Sequence, residues 1–325
     1  MIAINSFGIL YPILFALGFG LLIGGGNLLV NGAVALAKKC NLSPLLIGLV
    51  IVGFGTSVPE LVASLLAINQ SASDLAVGNI IGSNIANILL ILGVAAFILP
   101  IKVSKLSLRR DGKFLLLSAI ILCCAAVFEQ INFFMGFLMC GCLCYYVYYA
   151  YQTDKRHIEL VQNLHEHAPQ RRQRKKALHI DVISIIVGIG LTFFGARILV
   201  DNAMMLALKA GVPSEIIGLT LIAIGTSLPE LATSVIASIK KQPDVAFGNV
   251  VGSNIYNSLF ILGFLALFKK IPVHAGWNML WMMLATTLLL FIAYTRQKLS
   301  KKTGILFLGL YAAYIFWLGI ITLRG

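Results

Sequence analysis

Two short segments put a glutamate inside a long apolar run: GFGTSVPEL at residues 53–61 and AIGTSLPEL at residues 223–231. On a helix Thr56 and Ser57 share a face with Glu60, four and three residues away. Pro59 has no N–H, and its ring crowds the carbonyl of Gly55 four residues back. The residue before a proline also resists helical geometry. Carbonyls from Gly53 to Thr56 are therefore expected to leave the helix ladder. Pro229 does the same for the stretch from Ala223 to Thr226, beside Ser227 and Glu230. A second matched segment follows each first one, GSNIAN at 82–87 and GSNIYN at 252–257. In it Ser83 and Asn87, and likewise Ser253 and Asn257, lie four apart on one face and can add neutral oxygens. Two carboxylates, several hydroxyls and freed carbonyls make a hard-cation donor set of the kind Ca²⁺ and Na⁺ take. Transition metals would recruit His or Cys, and neither accompanies these motifs.

The elements that must hold these residues are membrane helices. Hydrophobic residues make up 59% of the chain and charged residues 11%, against about a quarter charged in soluble domains. A spanning helix needs roughly 20 mostly apolar residues, and ten such stretches are expected. They lie near 7–37, 43–69, 74–99, 112–128, 131–151, 178–208, 213–239, 244–268, 275–295 and 303–322. Their length, without a ten-residue alternating pattern, points to helices and away from an outer-membrane barrel. No basic n-region with a small-residue cleavage site precedes the first stretch, which is expected to stay in the membrane. The net charge of +13 is topology rather than a nucleic-acid footprint. Nineteen Lys and Arg fall in alternate loops and four, Lys209, Lys269, Lys270 and Arg324, on the other side. The positive-inside rule then predicts a multi-pass cytoplasmic (inner) membrane protein with both termini on the extracytoplasmic side.

At an offset of 170 residues the chain aligns with itself. DLAVGNIIGSNIANILLILG faces DVAFGNVVGSNIYNSLFILG, and about half the positions from Gly48/Gly218 to Gly93/Gly263 are identical. Chance apolar similarity would not keep Thr, Ser, Pro, Glu, Asp, Asn and Gly in register. Each copy holds five spans, an odd number, so the second enters the membrane from the opposite side. Inverted repeats with polar, Pro-interrupted helices at matched positions mark a secondary transporter with its site at the midplane. The expected organisation is a first five-helix repeat over 1–151, a charged cytoplasmic linker over 152–177, and an inverted repeat over 178–325. The fold class is thus all-α, with broken helices where the halves meet.

A carboxylate at the membrane centre costs roughly 2.5 kcal/mol or more, and two in one repeated motif are read as functional. Asp74 and Asp244 are read as helix N-caps. Arg197 and Asp201, four apart in the sixth span, are read as an internal ion pair. The six cysteines fit no disulfide or zinc scheme and are read as buried thiols. His165 and His167 belong to the solvated linker.

The paired GTSxPE and GNxxGSNIxN segments closely resemble the two alpha-repeats of the cation/Ca²⁺ antiporter superfamily, particularly prokaryotic Na⁺/Ca²⁺ exchangers. The resemblance covers essentially the whole chain. It implies that Glu60 and Glu230 are the central Ca²⁺ ligands. It further implies that Thr56, Ser57, Ser83, Thr226, Ser227 and Ser253, with carbonyls near Gly53 and Ala223, build flanking Na⁺ sites. Some members carry aspartate at a position matching Asn87 or Asn257. This chain has asparagine at both, so the resemblance carries no K⁺ dependence. The implied function is Na⁺/Ca²⁺ antiport by alternating access, normally extruding Ca²⁺, with Ca²⁺ and Na⁺ as cargo and no cofactor. A Ca²⁺/H⁺ antiporter is the nearest alternative. A channel fits inverted broken helices less well. An intramembrane enzyme lacks a nucleophile–base set, and a structural membrane protein would not need duplicated buried acids.

Overall fold

The computed structural model describes residues 2–164, 178–209, 223–274 and 276–324. Among these the chain makes ten helical segments. They are α1 (Ile2–Lys39), α2 (Pro44–Asn69), α3 (Ser73–Ile98), α4 (105–127), α5 (Phe133–Leu164), α6 (Leu178–Lys209), α7 (223–239), α8 (Pro243–Ala266), α9 (Trp277–Arg296) and α10 (Lys301–Arg324). Eight of them are long and apolar enough to cross a membrane. The two that are not are α4, which opens on Lys105, Arg109, Arg110, Asp111 and Lys113, and α7, whose preceding residues lie outside those described.

Burial separates core from periphery. In α8, 94% of the most apolar window is inside the protein, against 33% in α1 and in α6. The central helices therefore present few residues to lipid, which frees their side chains for polar contacts with one another. Close backbone approach makes this possible. A Cβ on Gly252 would stand 2.4 Å from the Leu49 carbonyl oxygen of α2, so the glycines of the second motif seat α8 directly on that helix.

The two peripheral helices α1 and α6 pack along their lengths. Gly18, Gly25 and Gly32 recur every seven residues on α1, as do Gly188 and Gly195 on α6. A Cβ on Gly188 would meet the Leu29 amide nitrogen at 2.6 Å, and one on Gly195 would meet that of Leu22 at 2.7 Å. Small residues are what let membrane helices approach this closely. An ion pair between Lys39 and Asp181 ties the end of α1 to the start of α6.

Four two-residue strands join the loops. β1 (Ile101–Lys102) pairs antiparallel with β4 (Lys298–Leu299), and β2 (Gln130–Ile131) with β3 (Ile271–Pro272). Each pair links one loop of the first half to one of the second, and α4 separates the two pairs. Composition gave no sign of these strands, because each is only two residues long.

Several expectations need correction. α5 does not stop near 151: it continues to Leu164, because Asp154 on its extension accepts hydrogen bonds from the backbone N–H of Ser43 at 2.8 Å and from its hydroxyl at 2.5 Å. Asp74 and Asp244 are not N-caps. The capping positions are Ala72 and Gln242, neither making a side-chain cap bond, and the two aspartates lie in the first turn. A matched tight turn precedes each helix, with Ser71 at φ 60° and Lys241 at φ 58°, and the helix starts two residues earlier than caps at the aspartates require. There the carboxylates complement the helix dipole instead. Arg197 and Asp201 do pair, at 3.7 Å, but on the outer face of α6, where their side chains are 69% and 64% exposed. All six cysteines are free and none is buried. Cys40, Cys124 and Cys144 are exposed, and Cys123, Cys140 and Cys142 are half-buried, Cys123 and Cys142 against the edge of the core. His165 and His167 lie outside the described residues.

Substituting Gly188 by leucine should drive α1 and α6 apart, because the new side chain has backbone rather than a movable side-chain tip in its path. Overpacking of this kind costs about 1–3 kcal/mol or more. Thermal unfolding of the purified variant should show a clear drop in Tm. An unchanged Tm with unchanged yield would contradict the backbone contact.

Candidate cation site

α2 and α7 break at the same motif position. Ser57, at φ −82° and ψ 4°, ends one helical piece, and Val58–Asn69 starts another with Pro59 in its first turn. Ser227, at φ −89° and ψ 5°, does the same ahead of Leu228–Ile239 and Pro229. A proline is at home there because the first N–H groups of a helix have no internal acceptor. Glu60 and Glu230 therefore sit in the first turn of a new helix, where the partial positive charge of the helix end favours an anion. Both are 0% exposed.

The two halves supply each other's hydroxyls. Ser57 donates to Oε1 of Glu230 at 3.4 Å, and Ser227 donates to Oε1 of Glu60 at 3.2 Å. Ser253 donates to Oε1 of Glu230 at 3.5 Å and to the Gly53 carbonyl at 3.2 Å. Thr56 shares a 3.4 Å hydrogen bond with Ser253. The Ser83 and Thr226 hydroxyls also face Glu60, and Thr56 faces Glu230. The carboxylates lie near enough for the charge on Glu60 to act on Glu230.

What is left over defines the chemistry. Oε2 of Glu60, Oε2 of Glu230, Oγ of Ser83 and Oδ1 of Asn87 and Asn257 are buried and have no hydrogen-bond partner among the described residues. A buried polar atom without a partner costs about 1–3 kcal/mol, and a charged one more. These are five oxygens, two of them on carboxylates, in a dehydrated interior. Ca²⁺ and Na⁺ take such a set. Among the described residues no group of three or more His, Cys, Asp or Glu side chains converges, so nothing there resembles a transition-metal centre.

Each expected site residue has a definite place. Glu230, Thr56, Ser57, Ser253 and the Gly53 carbonyl form one hydrogen-bonded cluster, and Ser227 with Glu60 forms a second pair. The Gly53 carbonyl is not freed from the ladder as expected: it still accepts from Ser57 N–H at 3.2 Å and takes the Ser253 hydroxyl as well. The carbonyl that loses its partner to Pro59 is that of Gly55. Thr226 donates to Oδ1 of Asn79 at 3.3 Å. Ala223 opens α7, and the residues that precede it lie outside those described. Asn87 and Asn257 are held by other asparagines: Asn87 donates to Asn254 at 2.9 Å and Asn257 to Asn84 at 3.2 Å. Their carbonyl oxygens are left unused.

Four asparagines went unread in the sequence. Asn249 accepts from Thr56 at 3.0 Å and donates to the Glu230 backbone carbonyl at 3.2 Å, and Asn79 holds the matching place beside Thr226. Asn84 and Asn254 brace the belt that carries Asn87 and Asn257; Asn254 donates to the Asn84 carbonyl at 3.2 Å. The signal was present, since Asn79/Asn249 and Asn84/Asn254 recur at the repeat offset. Spacing from the glutamates alone did not point to them.

The chain matches the family described as "Sodium/calcium exchanger protein" over residues 10–152 and 180–319. It is 32% identical to the putative antiporter CaxA of Alkalimonas amylolytica, across 93% of this chain and 96% of that one. It is 30% identical to the sodium/calcium exchanger MaX1 of Methanosarcina acetivorans, across 93% and 97%. It is 32% identical to the inner membrane protein YrbG of Escherichia coli, across 95% of both. A solved structure of the sodium-calcium exchanger NCX_Mj, soaked with Na⁺ and Sr²⁺, superimposes with a TM-score of 0.80 at 31% identity, covering 94% of this chain and 98% of that one. With these matches running along nearly its whole length, the chain belongs to the sodium/calcium exchanger protein family.

Proposed function

We propose that this protein is an antiporter that exchanges Na⁺ for Ca²⁺ by alternating access, with Glu60 and Glu230 as the central Ca²⁺ ligands. The observation that carries this reading is the reciprocal pair of buried carboxylates, each with one oxygen bonded across the halves and the other without a partner. Two carboxylates balance one Ca²⁺ or two Na⁺, so the ions compete for overlapping oxygens. Thr56, Ser57, Ser83, Thr226, Ser227 and Ser253, with the carbonyls of Gly53 and Ala223, supply the neutral oxygens for Na⁺. Asn87 and Asn257 add theirs from the belt. Sodium bound on the hydroxyls beyond the two that balance the acids makes exchange electrogenic. Full occupancy by either ion lets the glycine-packed α1 and α6 slide past the core and switch exposure. An empty site leaves two buried charges unbalanced, and that opposes switching and uncoupled leak.

The same reading takes the chain as two inverted repeats, 1–151 and 178–325, joined by a cytoplasmic linker. Supporting it, β1 and β3 lie one repeat offset apart, and each pairs with a loop strand of the other half at opposite ends of α4. The loop charge places the ends of α1, α5 and α7 in the cytoplasm and both termini outside. A Na⁺ gradient then drives Ca²⁺ out of the cell.

The test is ⁴⁵Ca²⁺ uptake into proteoliposomes under an imposed Na⁺ gradient, then under a pH gradient. Na⁺-driven uptake is expected; uptake driven only by pH makes the counter-ion H⁺, and uptake saturating as a leak without either gradient makes the protein a channel. Glu60→Gln and Glu230→Gln should each remove about 3 kcal/mol or more of cation binding, a loss of at least about 100-fold in transport. Retained transport in either variant removes that carboxylate from the site. Because Asn87 and Asn257 leave only two acids in the core, replacing K⁺ by choline on both sides should leave the exchange rate unchanged. A requirement for K⁺ would show a cation site that these asparagines do not explain.

A further inference from the structure

The two halves carry several of the same residue types at matched places, yet not every hydrogen bond made in the second half is made in the first. Ser57 on Glu230 is matched by Ser227 on Glu60, and Thr56 on Asn249 by Thr226 on Asn79. Asn249 also donates to the Ser234 hydroxyl, at 2.9 Å. The matching residues of the first half, Asn79 and Ser64, do not bond. Among the described residues Nδ2 of Asn79 and Oγ of Ser64 are both buried and without a partner, and Ser64 is 0% exposed. The Asn and Ser of the pair are the same in both halves, although neighbours such as Thr233 (Ala63 in the first half) and Ser238 (Ile68) are not. The difference is conformational.

The two pairs lie on opposite sides of the glutamates. Ser234 and Asn249 stand between Glu230 and the turn at Lys240 and Lys241, on the basic side. Ser64 and Asn79 stand between Glu60 and the turn at Gln70 and Ser71, on the other. A second observation separates the sides. In α7, Thr233 and Ser238 are 0% and 2% exposed, and their hydroxyls have no partner. Elsewhere in the chain Thr153, Ser184, Thr192, Thr287 and Thr295 each bond the carbonyl four residues back, the usual recourse of a hydroxyl on a membrane helix. Thr233 and Ser238 forgo that bond, as the lining of a passage that water reaches in another state would do.

We propose that Asn249–Ser234 and Asn79–Ser64 are alternating latches, one on each side of the cation site. In this structure the cytoplasmic latch is closed and the extracytoplasmic latch is open. Switching breaks the Asn249–Ser234 bond, opens a passage along Thr233 and Ser238, and forms the Asn79–Ser64 bond. Ser64 and Ser234 are positioning residues that set which face the site is open to. This inference rests on the alternating-access reading and on the orientation given by the loop charges.

Side-resolved kinetics test it. Na⁺-driven ⁴⁵Ca²⁺ transport is measured in right-side-out and everted vesicles, giving an apparent KM for Ca²⁺ on each face. Ser234→Ala removes a bond of the cytoplasm-closed state, so the cytoplasmic KM should fall and the extracytoplasmic KM rise. Ser64→Ala removes a bond of the opposite state and should move both values the other way. Loss of one hydrogen bond predicts a change in the ratio of about twofold to tenfold. The double variant should return the ratio close to its starting value. Should Ser64→Ala not yield folded protein, Ser64→Cys, which keeps the volume and weakens the bond, is read in the same way. Single variants that move both KM values together, or leave the ratio fixed, overturn the latches. Glu230→Gln in the same vesicles separates the two ideas: its transport should be lost, and retained transport would defeat the cation-site reading instead.

Discussion

Two carboxylates that cannot reach water set the terms for the rest of this molecule. Glu60 and Glu230 are both fully buried, and among the described residues neither has a basic side chain as its partner. What makes them tolerable is backbone. Each sits at the first turn of a helix that begins after an interior break, so a helix end and a ring of hydroxyls stand where a lysine or arginine would otherwise be needed. That solution forces the breaks at Ser57 and Ser227, and the breaks need surrounding protein to cover the interrupted backbone. The close seating of α2 on α8 at Gly252 provides that cover.

The same constraint explains why the site is built between halves and not within one. A hydroxyl on its own helix can reach its own carbonyls, as Thr192 does on Gly188. Ser57 and Ser227 reach across to carboxylates on another element, and each serves the other half's glutamate, while Ser253 faces Glu230 from within its own half. The unpartnered oxygens that remain are then held in place by bonds made elsewhere, and the Asn84 and Asn254 belt fixes Asn87 and Asn257 in this way. Such a cluster is braced at its rim and keeps unpartnered oxygens at its centre.

Much of this was legible in the residues. The repeat offset identified both glutamates, both serines before the prolines, and the order of nearly all helices, because a polar motif kept in register through an apolar chain has little other reason to exist. The helix ends were less readable. α5 outruns its apolar segment because of a contact with Ser43, over a hundred residues away, that no local pattern encodes. The Asp74 and Asp244 caps failed because a left-handed turn residue set the helix start. Arg197 and Asp201 did pair, but on the outer face, since four-residue spacing fixes a shared helix face without saying which way that face points. The asparagines at 79, 84, 249 and 254 were visible as repeated letters but had no assigned chemistry until their partners were in place.

The account stands on the claim that Glu60 and Glu230 hold one Ca²⁺ together and that Na⁺ competes for it. Equilibrium dialysis of the purified protein against ⁴⁵Ca²⁺, with and without Na⁺, measures this directly. The prediction is a single Ca²⁺ per chain, displaced as Na⁺ rises and lost when either glutamate alone is changed to glutamine. A Ca²⁺ that stays bound in one of those variants, or that Na⁺ leaves untouched, would contradict it.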